Sequence, residues 1–168
     1  MSRTMNFPTV PLAELARNGI TPQADPRKPV VLVVDDEAVI ADTLATILSR
    51  HGFSTLVAYD GNAALEAAKL VPPDLLLTDV VMPGISGVDL AIAIRESLPN
   101  CKVLLFSGQA TTVDLLLAAG EAGGDFTVLS KPLHPKDLLV RLSRTLNSQD
   151  SKADDQYLEG EPSPMLSA

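Results

Sequence analysis

Two stretches decide the fold: Val30-Val31-Leu32-Val33-Val34-Asp35-Asp36 and Leu75-Leu76-Leu77-Thr78-Asp79. Each is a short apolar run that ends in carboxylate. Strands of a parallel sheet are covered on both faces and read as continuous Val/Leu runs, whereas a strand with one wet face alternates. Side by side, these runs deliver Asp35, Asp36 and Asp79 to one edge of a sheet. Ligands of open α/β sheets bind outside the carboxyl ends of the strands. Three carboxylates a few ångströms apart repel by roughly 4 kcal/mol per pair at an effective dielectric near 20. A hard divalent cation held by oxygen ligands is the simplest neutraliser.

Outward from these runs the chain alternates. Ala38 to Arg50 carries Ile40, Leu44, Ile47 and Leu48 on one helical face, and Gly52 fits the stop behind it. Ser54–Ala58 reads as a second strand, polar enough for a sheet edge, and Ala63–Leu70 as a helix ended by Pro72-Pro73. Leu75–Thr78, the third strand, is followed by a helix over Val88–Ser97 that turns Leu90, Ala91 and Ile94 inward. Val103–Phe106 is a fourth strand, Thr112–Ala119 a helix closed by Gly120, and Phe126–Ser130 a fifth strand. Lys136–Leu146 is the last helix, with Pro135 suited to its first turn and Leu138, Leu139, Leu142 and Leu146 inward. Five β–α units with short joins predict an α/β fold, a doubly wound five-stranded parallel sheet with helices on both faces.

The alternation occupies residues 29–147 of 168. Residues 1–28 hold four prolines and one short helical stretch, Leu12 to Arg17, and read as a flexible arm. Residues 148–168 are rich in Ser, Asp, Glu and Pro and read as a disordered acidic tail. The net charge of −8 divides into +2, −6 and −4 over these three parts. No segment clusters Lys and Arg as phosphate-backbone binding requires, so direct nucleic-acid contact is not expected. No run of apolar residues is long enough to span a membrane, and the first residues lack a secretory pattern. Cys101 is the one cysteine, so no internal disulfide forms and a reducing cytoplasm is the expected setting. His51 and His134 have no second His or Cys at ligand spacing, which argues against zinc.

The strand ends hold a compact polar set: Asp35 and Asp36, Asp79, Ser107 and Lys131. Each has a plainer use, the acids as helix caps, the serine as a turn hydroxyl, the lysine as a solvated ammonium. Together, acids for a cation, a hydroxyl donor and an ammonium suit a transferring phosphoryl group, whose spread negative charge needs all three. Asp79 is then the candidate nucleophile.

In these residues the chain resembles the receiver domain of bacterial two-component response regulators. The matching motifs are Asp35-Asp36-Glu37, the run from Asp79 through Met82-Pro83-Gly84 to Gly87, Ser107-Gly108 and Lys131-Pro132. The resemblance implies a CheY-like strand order 2-1-3-4-5. It implies that Asp79 accepts a phosphoryl group from a sensor histidine kinase or phosphotransfer protein, and that Ser107 and Lys131 bind the phosphoryl oxygens. It further implies Mg²⁺ on Asp35 (through water), Asp36, Asp79 and the backbone carbonyl of Val81, and a cis bond before Pro132. Such a protein is no turnover enzyme: it assists its own phosphorylation and dephosphorylation, and here it reads as a stand-alone receiver that signals through protein contacts.

Two alternatives stay open, a pseudo-receiver that binds a partner unphosphorylated and an aspartyl-nucleophile phosphohydrolase. The hydrolase needs a second acid two residues past the nucleophile, where this chain has Val81. A homodimer through the last strand and its flanking helices also stays open. The chain departs from the family at Val128, where receivers place Tyr or Phe, with Phe126 two residues earlier, and over Glu121–Asp125, which lengthen the stretch to Lys131. The loop from Gly108 to Thr112 is therefore the expected reader of phosphorylation.

Overall fold

The two apolar runs lie side by side. β1 (Val30–Val34) pairs in parallel with β3 (Leu75–Asp79), Val31 opposite Leu75 and Val34 opposite Thr78. The computed structural model describes residues 28–108 and 126–148. Around β1 and β3 stand β2 (Ser54–Ala58), β4 (Lys102–Ser107) and β5 (Thr127–Ser130), every pairing parallel, in the order β2-β1-β3-β4-β5. The winding direction reverses between β1 and β3, which makes the carboxyl ends of those two strands the switch point of the sheet.

Four helices are described: α1 (Ala38–Arg50), α2 (Gly61–Leu70), α3 (Gly87–Ser97) and α4 (Pro135–Asn147). Strand side chains alternate between two cores. Val30, Leu32, Val34, Leu76 and Leu105 pack with α2 and α3. Val31, Val33, Leu75, Leu77 and Leu104 pack with α1 and α4. Covered on both faces, β1 is buried at all five positions, which is why its sequence shows no alternation.

The elements follow their expected ranges, with shifts that have local causes. The deepest residues of α1 are Ala41, Ala45 and Leu48 rather than the larger Ile40, Leu44 and Ile47, which flank them half-buried. Small alanines let the helix axis approach the sheet, and the branched side chains fill the flanks. Gly52 ends α1 at φ +91°, with the Phe53 N–H donating to the Leu48 carbonyl at 3.2 Å. α2 starts two residues early because Asp60 Oδ1 accepts the Ala63 N–H at 2.8 Å. α4 starts at Pro135, and His134 Nδ1 accepts the Lys136 N–H at 3.2 Å, so this histidine is a cap. β5 forms the second sheet edge, with Thr127 and Ser130 exposed.

The expected helix over Thr112–Ala119 and the residues Glu121–Asp125 lie outside the described residues. So do the arm and the tail, apart from Lys28 and Ser148. No helix among the described residues is long and apolar enough to cross a membrane.

Candidate functional site

Four neighbouring strand ends build the site, and each contributes through a local constraint. Asp35 follows β1 and is buried. Its Oδ1 accepts the Glu37 N–H at 2.9 Å at the entrance to α1, while Oδ2 lies 3.4 Å from Lys131 Nζ. Asp35 is thus no helix cap, since Glu37 is the N-cap of α1 and makes no side-chain cap bond. One Asp35 oxygen holds the backbone just ahead of the helix and the other faces Lys131. Asp36, next along, is exposed on the rim. Asp79 ends β3, and its Oδ1 sits 2.9 Å from Lys131 Nζ. One carboxylate oxygen from each of Asp35, Asp36 and Asp79 lies within 4.8 Å of the others.

Ser107 ends β4 and is buried. Its carbonyl accepts the Lys131 N–H at 2.7 Å, which ties the start of the β5–α4 loop to the end of β4. The peptide bond between Lys131 and Pro132 is cis. Gly108 lies beside the lysine stem: a Cβ there would stand 3.6 Å from both Cβ and Cδ of Lys131, an ordinary packing distance. Val81, beyond β3, is 49% exposed.

Burial raises the Asp79 pKa above the ordinary carboxylate value; Lys131 opposes this, and Asp35 and Asp36 add to it. For Lys131, burial alone would lower the pKa, but contact with Asp79 and Asp35 outweighs it and the net shift is upward. One ammonium therefore faces three carboxylates, and the pocket is under-neutralised. A cation with oxygen preference fits this donor set, since Mg²⁺ takes one or two carboxylates and keeps several waters.

Two residues that sequence reasoning passed over also shape the site. Phe106, read only as the end of a strand, presents its ring to Lys131, with Nζ 5.0 Å from the centroid. An aromatic just before the serine at a strand end was the available signal. Gly87, seen only as part of a motif, begins α3 against the end of β3, where an added Cβ would collide with the Asp79 carbonyl oxygen. Val128 and Phe126 are half-buried and pack on the α2–α3 side of the sheet, with the Arg95 guanidinium 5.4 Å from the Phe126 ring centroid.

The response regulator receiver domain family matches residues 31–143, and the chain belongs to that family. A receiver domain from Methanospirillum hungatei, described as CheY-like, superposes with a TM-score of 0.68 at 26% identity, over 73% of this chain and 97% of that one. NtrX from Brucella abortus, solved in complex with ATP, gives 0.65 at 30% identity, over 74% of this chain and 28% of NtrX. The DNA-binding response regulator MtrA of Mycobacterium tuberculosis is 35% identical over 137 residues, 82% of this chain and 55% of MtrA. The chain thus spans about half the length of the curated relatives it matches.

Receiver domains interact with histidine kinases, bind Mg²⁺ at an acidic pocket, and are generally signalling modules rather than enzymes. MtrA, named as DNA-binding, and NtrX both extend well beyond the matched region, so neither supports the expectations of a stand-alone receiver and of no nucleic-acid contact.

Proposed function

We propose that this receiver takes a phosphoryl group onto Asp79 from a phosphohistidine of a sensor histidine kinase or phosphotransfer protein, in the cytoplasm, and passes the signal on through protein contacts. The observation that carries this reading is the Lys131 ammonium, 2.9 Å from Asp79 and 3.4 Å from Asp35, at a point where three carboxylates converge. In this reading Asp36, Asp79 and the Val81 carbonyl would hold Mg²⁺ directly and Asp35 through water, and the ion would supply charge neutralisation for the phosphoryl oxygens.

An Asp79 oxygen attacks phosphorus, the new O–P bond forms as the P–N bond to the donor imidazole breaks, and the imidazole leaves with the electron pair of that bond. Lys131 turns from the Asp79 carboxylate to a phosphoryl oxygen, and the Ser107 hydroxyl donates to another. Asp35 is the poorer nucleophile because Oδ1 already accepts the Glu37 N–H. Asp36 is exposed on the rim. The added charge biases a pre-existing equilibrium of the domain surface, which a partner senses.

Incubation with acetyl phosphate and Mg²⁺, followed by intact mass measurement, tests this. A labile phosphoryl adduct is expected on the wild type and absent from Asp79→Asn. An adduct that persists in Asp79→Asn, or none on the wild type, overturns the reading.

A further inference from the structure

We propose that Phe106 is a positioning residue for Lys131: its ring face keeps the ammonium inside the cleft while the ammonium exchanges the Asp79 carboxylate for a phosphoryl oxygen. This rests on the phosphoacceptor reading of Asp79 and extends it to a residue outside the charged set.

The geometry is fixed by the sheet. Phe106 stands opposite Asp79 in the β3–β4 register and opposite Leu129 in the β4–β5 register. The Lys131 backbone is held at the same place by its N–H bond to the Ser107 carbonyl. Ring and ammonium therefore meet without either searching for the other. Their 5.0 Å separation is within the roughly 6 Å over which a cation is drawn to a ring face. Phe106 is only 7% exposed, so water is kept from the ring, while the Lys131 side chain keeps 24% exposure toward the cleft.

An aromatic face suits this task better than a further carboxylate or carbonyl. The ring quadrupole attracts positive charge but offers no lone pair to engage an N–H in one fixed direction. The ammonium stays near the ring while its hydrogen bonds swing from one oxygen to another. An acid in that place would hold Lys131 back from the arriving phosphoryl group and would deepen the repulsion in the pocket. The contact belongs to β4 and so differs from an aromatic on β5, where this chain has Val128.

Phe106 also packs in the core shared with α1 and α4, so a packing role must be separated from a positioning role. Two readouts do this. In the wild type, the ε-methylene protons of Lys131, assigned by comparison with Lys131→Arg, are expected to resonate upfield of free lysine through the ring current. They are expected to return toward free-lysine positions in Phe106→Leu or Phe106→Met. The second readout is a double-mutant cycle on the rate of phosphorylation by acetyl phosphate. Phe106→Leu should slow the reaction about 3- to 30-fold, Phe106→Tyr should retain most of the rate, and Phe106→Leu should add nothing in a Lys131→Gln background.

A wild-type Lys131 resonating like free lysine, or an equal proportional loss from Phe106→Leu in both backgrounds, overturns the proposal while leaving Asp79 as phosphoacceptor. No phosphoryl uptake by the wild type overturns the phosphoacceptor reading and the exchange built on it.

Discussion

Asp79 holds its charge against its surroundings. Burial raises its pKa, Asp35 and Asp36 push the same way, and Lys131 offsets only part of this. Because the folded-state value lies above the unfolded one, ionised Asp79 lowers stability at neutral pH, and that cost disappears as pH falls through the folded value. In Mg²⁺-free buffer at pH 7, Asp79→Asn is therefore expected to melt a few degrees above the wild type. The gap should narrow on acidification toward the ordinary carboxylate range, and thermal melts across that range check it. Cys101 titrates at the other end. Burial above all, with help from Asp74 and against a backbone hydrogen bond from Leu76, moves its thiol from 9.0 to about 11. The protonated thiol is thus the form the fold keeps. Its stabilisation is complete below pH 9 and is lost as pH rises to about 11, by roughly 2–3 kcal/mol. Denaturant titrations at pH 8 and at pH 11 should show a smaller loss for Cys101→Ala than for the wild type.

At the scale of elements, the junction of β3 with α3 is the tightest described place in the site. A Cβ on Gly87 would meet the Asp79 carbonyl oxygen and stand 2.8 Å from its carbon and 3.0 Å from Val80 Cα. The backbone has little room to yield, because the Val80 N–H donates to the Phe106 carbonyl and the Gly87 N–H to the Val80 carbonyl. Gly87→Ala is expected to destabilise the domain by about 2–3 kcal/mol in denaturant unfolding and to slow phosphoryl uptake, since Asp79 must shift. Gly61→Ala would bring its Cβ to 2.7 Å from Ile85 Cβ, so Ile85 must shift, but no backbone atom is among the nearest contacts and the cost should be smaller than at Gly87.

These junctions mark where sequence reading stops. The strands of the sheet were legible because burial on both faces removes alternation, and the pocket acids because they end such runs. The central alanines of α1 were not, since hydrophobicity ranks Ile40 and Ile47 above Ala41 and Ala45 while close helix–sheet approach favours small residues. Nor was the Phe106 contact, because a pattern of apolar letters assigns a strand aromatic to the core and does not say which cation lies over its face. The division of the Asp35 carboxylate between backbone and pocket needs atoms, not letters.

The whole molecule gathers unbalanced negative charge at the carboxyl edge of one sheet. Mg²⁺ that binds there in the folded state alone raises stability by about 2.7 kcal/mol when its free concentration is about a hundred times the dissociation constant. An upward shift in melting temperature on adding Mg²⁺, reversed by EDTA, is expected for the wild type and should vanish in Asp36→Ala. A shift that survives in Asp36→Ala would place the cation elsewhere.

Asp35 makes that edge something other than a passive bowl. Its carboxylate is a rigid plane: one oxygen grips the Glu37 amide where α1 begins, and the other looks into the cleft. A tug on the inner oxygen tilts the whole plane, so events among the acids register at the mouth of α1 with no moving loop in between. The Glu37 amide is accordingly a native gauge of pocket occupancy, and its nitrogen-15 resonance should travel during a Mg²⁺ titration, while that of Val71 at the far end of α2 holds still.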